Sequence, residues 1–180
     1  MTVRVEGHMA RYVEQANLAK AFFDQAKTHP EKMFLFDKRD GEWRGLSWAE
    51  VADKISRVAQ MLLDNGIEAG ERVMIAPEHR SEWALSDLAI MSVGGIAVPA
   101  YTTYTEDDHH YVLDHSGAKM VFVSGGQIAQ RVLLAAQRAH QVSHVITFNE
   151  DETFTAGDKV KLMDFSALLA NTAPVADMDT

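Results

Sequence analysis

Cysteine is absent from this 180-residue sequence. Its absence excludes a disulfide framework, a thiolate zinc site and a cysteine nucleophile. Basic clusters are missing too. The 17 lysines and arginines are outnumbered by 26 acidic residues, giving a net charge of -9, and no basic face marks a nucleic-acid surface. Long apolar runs are also lacking. The longest, residues 88–101, is interrupted by Ser92, Gly94, Gly95 and Pro99 and is too short to cross a bilayer as a helix. Residues 1–14 mix charges with isolated apolar side chains, unlike a signal peptide. Together these absences predict a cytoplasmic, soluble protein. A longer parent is compatible with peripheral association with a membrane surface.

Signature motifs of several enzyme classes are missing as well. There is no G-x-G-x-x-G, no P-loop and no nucleophile elbow. No Ser/His/Asp set can be nominated, and the scattered aromatics offer no base-stacking platform. By its own residue chemistry the sequence offers no catalytic residue.

What is present reads as an alternating α/β chain of ordinary composition, 47% hydrophobic and 24% charged. Its length suits one α/β domain or most of one. Residues 17–27 place Leu18, Ala21, Phe22, Gln25 and Ala26 at helical spacing before His29-Pro30. Two apolar segments, 33–36 and 43–48, flank Asp40-Gly41, a strong hairpin signal. Ser47 and Glu50 fit a capping box. Val51, Ile55, Val58, Ala59 and Leu62 follow as one apolar stripe, closed by Asn65-Gly66.

Strand runs are then predicted at 72–76, 96–98, 120–123, 144–148 and 160–163. Helices are predicted at 80–91 (burying Ala84, Leu85, Leu88 and Met91), from Thr105 to Gly117, at 126–139 and, briefly, at 164–169. Apolar strands alternating with helices imply a parallel sheet covered on both faces. The expected architecture is α/β: a three-layer α/β/α unit with a mainly parallel sheet, preceded by an N-terminal helix and a β-hairpin. The expected organisation is a tail over 1–16, the folded unit over 17–170 and a second tail over 171–180.

Several clusters invite a chemical reading and also have a plain one. Ser124-Gly125-Gly126, between a strand and a helix, suits a phosphate cradle or simply a tight turn. Gly94-Gly95 reads as a helix end. Asp107, Asp108, His109 and His110 resemble metal ligands, but neighbours on a helix point roughly 100° apart. They are better explained as favourable charges near a helix N-terminus capped by Thr105. No metal ligands are assigned. His110 and Asp114 fit a surface pair.

Two stretches carry a family likeness. One is Gly45-Leu46-Ser47-Trp48-Ala49-Glu50-Val51, followed by Leu62 and then Asp64-Asn65-Gly66 through Gly70-Glu71-Arg72-Val73. The other is Leu88-Ala89-Ile90-Met91 through Gly94-Gly95-Ile96-Ala97-Val98-Pro99, running on to Tyr111-Val112-Leu113-Asp114-His115-Ser116-Gly117-Ala118-Lys119. They resemble the first two core motifs of the adenylate-forming superfamily, which holds acyl-CoA synthetases, peptide-synthetase adenylation domains and firefly luciferase. The likeness covers residues 17–148. Ser81-Glu82-Trp83 and Val98-Pro99-Ala100-Tyr101-Thr102-Thr103 are most similar to the bacterial long-chain fatty acyl-CoA synthetase branch.

The resemblance implies a parent that activates a fatty acid with Mg-ATP to an acyl-adenylate and pyrophosphate, then transfers the acyl group to coenzyme A. It also implies that this chain is an N-terminal part of that enzyme. The phosphate loop, the nucleotide and ribose motifs and the C-terminal lysine that the family uses are not in this sequence. The 180-residue polypeptide by itself is therefore expected to be inactive. Arg131 falls in a region that in the related acetyl-CoA synthetases looks like a site for coenzyme A phosphates; its alternative is a solvated helix arginine. An exposed hairpin and sheet edge would make the chain a homo-oligomer.

Three rival readings stand beside this one. A flavodoxin-like or receiver module would need ligand patterns at the strand ends that Pro77-Glu78, Pro99-Ala100, Ser124-Gly125 and Asn149-Glu150 do not supply. A non-catalytic interaction domain descended from a synthetase, or a relative acting on an aryl or short-chain acid, is the other choice.

Overall fold

The computed structural model describes residues 17–39, 41–76, 78, 80–149 and 157–175. Asn17 opens the first helix, α1 (Leu18–Thr28), its side chain accepting from the Lys20 N–H at 2.8 Å. The hairpin follows as β1 (Met33–Arg39) and β2 (Glu42–Ser47), antiparallel, with Gly41 at φ 83°. Asp40 lies outside the described residues. Strand β2 stops one residue before Trp48, which instead begins α2 (Trp48–Asp64). The capping box fixes that boundary: Glu50 N–H donates to Ser47 Oγ at 3.2 Å, and Ser47 N–H donates to the Glu50 carboxylate at 2.7 Å.

The remaining elements alternate as expected: β3 (Arg72–Ala76), α3 (Ser81–Ser92), β4 (Ile96–Pro99), α4 (Glu106–Ser116), β5 (Met120–Val123), α5 (Gly126–Arg138), β6 (His144–Thr147), β7 (Lys161–Asp164) and α6 (Phe165–Asn171). Thr105 caps α4 with Asp108 as its reciprocal partner, and Gly117 ends it in the left-handed region. Residues 150–156, between β6 and β7, lie outside the described residues.

The five strands β3 to β7 form one sheet in the order β4-β3-β5-β6-β7, every pair parallel. Alternate strand residues feed two cores. Val73, Ile75, Met120, Phe122 and Ile146 face α1, α2, α3 and α6. Met74, Ala76, Val121, Val123 and Val145 face α4 and α5. The three layers read from the sequence are therefore present, with the helix and hairpin added to one face.

Two helix faces differ from expectation. In α1 the buried residues are Ala19, Phe22, Phe23 and Ala26, while Leu18 is exposed. In α3 Leu85, Ala89 and Ile90 are buried, whereas Ala84, Leu88 and Met91 are half-buried. Helix α3 is apolar around most of its circumference, so its periodicity selects no face; packing against α2 and the sheet does.

A candidate ligand cleft at the carboxyl edge of the sheet

The strand order creates a point where the chain leaves adjacent strands in opposite directions. From β3 it runs through α3 to β4 on one side. From β5 it runs through α5 to β6 on the other, across the opposite face. Open α/β sheets bind ligands in the crevice outside such a switch point. Here a cleft of about 360 Å³ occupies that place. Its walls come from four strand ends: Glu78 after β3, Thr102 after β4, Gly125 through Ile128 and Arg131 after β5, and Asn149 after β6.

Local chemistry explains the shape of the β5–α5 turn. Ser124 is buried and its Oγ accepts the Glu78 N–H at 2.8 Å, tying the ends of β3 and β5 together. A Cβ on Gly125 would overlap the Asn149 side chain, and Gly126 sits at φ 65°. Both glycines are thus required by close approach and backbone conformation. Gly125 is also the N-cap of α5 and brings no side-chain acceptor to the helix start.

Asn149 is held in turn. Its Oδ1 accepts from Arg80 Nη1 at 2.6 Å, and Arg80 forms a two-point pair with the buried Glu82 at 3.1 and 3.2 Å. The Arg80 guanidinium lies 5.7 Å over the Phe148 ring. Bidentate pairs of this kind fix geometry as well as charge.

Arg131 projects from the second turn of α5 into the cleft wall. Its Nη2–H donates to the Thr102 carbonyl at 3.0 Å, across 29 residues of sequence, and its Nε is buried without a hydrogen-bond partner. A freely solvated helix arginine is therefore not what the structure contains. A guanidinium beside an N-terminus with no side-chain cap is suited to anions, phosphates above all.

The other sequence candidates do not converge. Asp108 accepts from the Thr105 N–H at 3.0 Å, Asp107 accepts from Arg138 at 2.8 Å, and His110 lies 3.4 Å from Asp114 as the surface pair predicted. Asp114 also accepts from His140, at 2.8 Å from its backbone N–H. His109 is fully buried. Among the described residues no group of three metal-ligating side chains forms, and no helix is long and apolar enough to cross a membrane. Sequence reasoning named Arg131 and the Ser124-Gly125-Gly126 turn. It missed Thr102, which contributes a backbone carbonyl, and the part played by Asn149. Their only sequence signal was position after a predicted strand.

The family model for AMP-binding enzymes matches residues 22–177. The chain belongs to that family. This decides between it and a flavodoxin-like module, since the strand order alone fits both. Among curated relatives of this AMP-binding chain, the long-chain-fatty-acid–CoA ligase FadD15 of Mycobacterium tuberculosis is 35% identical over 109 residues. That match takes in 61% of this chain and 18% of the relative, so the chain spans a minor part of the relative's length. Tyrocidine synthase 1 of Brevibacillus parabrevis is 27% identical over 110 residues, 61% of this chain and 10% of that protein. Among solved structures, the anthranilate CoA ligase AuaEII in complex with anthranoyl-AMP superposes with a TM-score of 0.76 at 18% identity. It covers 88% of this chain and 29% of that one. The benzoate CoA ligase of Burkholderia xenovorans LB400 gives a TM-score of 0.70 at 24% identity, covering 88% and 29%. At these identities the solved structures speak for the fold.

Proposed function

We propose that the chain is the N-terminal portion of a long-chain fatty acid–CoA ligase, and that its cleft takes a phosphate of coenzyme A. The observation that carries the ligand reading is Arg131, whose guanidinium lines a switch-point cleft beside the start of α5. The likeness to FadD15, at 35% identity, favours a long-chain acyl substrate over an aryl acid. In this reading the full-length enzyme joins a fatty acid to ATP, releasing pyrophosphate, and passes the acyl group from the adenylate to the coenzyme A thiol with loss of AMP.

Within that sequence the residues of this chain bind and orient; none is placed at the reacting atoms. Arg131 and the first turn of α5 meet phosphate charge, while Ser124 and Asn149 hold the turn in shape. Nothing in the chain is assigned to Mg-ATP, and the 180-residue polypeptide by itself is expected to show no acyl-dependent exchange of labelled pyrophosphate into ATP.

The test is kinetic. Arg131→Ala in the full-length enzyme raises the KM for coenzyme A and spares the adenylation half-reaction. An unchanged KM removes Arg131 from the site.

A further inference from the structure

Two residues of the packed helices α4 and α5 carry buried polar atoms without hydrogen-bond partners. His109, on α4, is fully buried and neither ring nitrogen has a hydrogen-bond partner. The Nε of Arg131, on α5, is buried and unpartnered too. The two helices pack against each other, and the loop that receives the Arg131 hydrogen bond at Thr102 carries, two residues on, the Tyr104 ring that meets His109. Such orphans are rare, because a buried polar group that loses water without replacement costs about 1–3 kcal/mol. Here they are complementary: Nε–H is a donor lacking an acceptor, and a neutral imidazole offers an acceptor nitrogen.

The Arg131 fork is engaged elsewhere. Its Nη2–H donates to the Thr102 carbonyl, which draws the guanidinium toward the loop between β4 and α4. The same loop carries Tyr104, whose ring meets His109 edge-on at 5.7 Å and meets Tyr101 at 5.3 Å. The loop thus touches both the imidazole and the guanidinium. A phosphate entering the cleft would compete with the Thr102 carbonyl for the outer N–H groups of the fork, because a charged acceptor makes the stronger bond. As the fork turns outward, its Nε–H needs an acceptor behind it.

We propose that His109 is a positioning residue for Arg131, its neutral ring accepting the Nε–H and holding the guanidinium toward a phosphate in the cleft. This rests on the reading of the cleft as a phosphate site. The surroundings of the ring favour the neutral form that the role needs. Burial first, then the Arg131 charge from α5, hold it below its ordinary range, and only Asp108 on its own helix opposes them. A protonated ring would set a second cation beside the guanidinium and offer no acceptor.

Three variants of the full-length enzyme separate the possibilities: Arg131→Ala, His109→Leu and His109→Gln. Loss of one hydrogen bond to a charged group corresponds to roughly tenfold in affinity. His109→Leu should raise the KM for coenzyme A by about that factor without touching pyrophosphate exchange, and His109→Gln, whose amide oxygen can accept, should recover most of it. If Arg131→Ala raises the KM while His109→Leu leaves it alone, or if Leu and Gln lose equally, the role of His109 fails and the phosphate reading survives. If Arg131→Ala leaves the KM unchanged, the phosphate reading fails and the inference with it. A ligand-free measurement on the 180-residue chain stands apart from both. Ring-nitrogen NMR should show the His109 pKa rising in Arg131→Met; no shift would mean the two groups are uncoupled and would overturn the proposal.

Discussion

Asn149 packs onto Gly125 so closely that no side chain fits between them, and Arg80 keeps the asparagine from retreating. This contact joins the end of β6 to the start of α5. It sets the floor of the cleft from residues that lie on separate crossovers.

Gly125→Ala is accordingly expected to destabilise the fold. The added methyl must displace Asn149, whose amide is held by the Arg80–Glu82 pair, and forced overpacking of this kind costs about 1–3 kcal/mol. Chemical denaturation would show a lowered midpoint. Weakening the tether in the same chain, with Arg80→Met, should reduce the penalty of the alanine because one hydrogen bond that holds Asn149 in place is lost.

Ser47→Ala tests the boundary between hairpin and helix. The hydroxyl satisfies the Glu50 N–H at the start of α2, and replacing such a cap costs about 1 kcal/mol. Burial of Val51, Ile55, Val58 and Leu62 keeps the helix formed, so a lower melting temperature with unchanged helical circular dichroism is the expected result.

Acid should weaken the fold partly through His109. Its pKa lies below the ordinary 6.5 because burial, and then Arg131, resist the charge. The unfolded chain therefore takes up a proton that the folded chain refuses. The contribution is fully present above about pH 6.5 and is lost as pH falls toward the folded value, with one proton bounding the slope at about 1.4 kcal/mol per pH unit. His144 is shifted the same way, by burial and by Lys161. Urea melts at a series of pH values should show His109→Leu losing less stability on acidification than the parent.

Self-association of the 180-residue chain is expected from what its surface presents. Trp43 is 70% and Phe36 60% exposed on the hairpin, and Ile96 is 50% exposed on the edge strand β4. Apolar patches and unpaired strand edges find partners. An interface of about 1,000 Å² at roughly 25 cal/mol per Å² of apolar area is worth several kcal/mol. The net charge of -9 opposes association, but exposed charges are screened beyond about 8 Å at physiological salt. Light scattering after size exclusion should report a dimer or larger species. Trp43→Lys with Phe36→Lys should shift it toward monomer. A wild-type monomer that binds no hydrophobic dye would show that the hairpin face is already covered.

The sequence by itself determined where the elements lie and that the sheet is parallel. Those properties depend on interactions three or four residues apart or on strand-length apolar runs: the Ser47–Glu50 box, the Thr105 cap, the Gly117 stop and the stripe from Val51 to Leu62. Such signals survive in a one-dimensional reading because the groups that cause them are neighbours in the chain. Which face α1 and α3 bury was decided by packing, since their apolar residues run past a single stripe. The cleft belongs to the tertiary structure alone. Arg131 reaches Thr102 across 29 residues and Arg80 reaches Asn149 across 69; only the order β4-β3-β5-β6-β7, with crossovers on opposite faces, brings those strand ends to one place. The burial of His109 has the same origin: two helices that share a sheet face exclude water from a side chain that, along the chain, sits among surface charges.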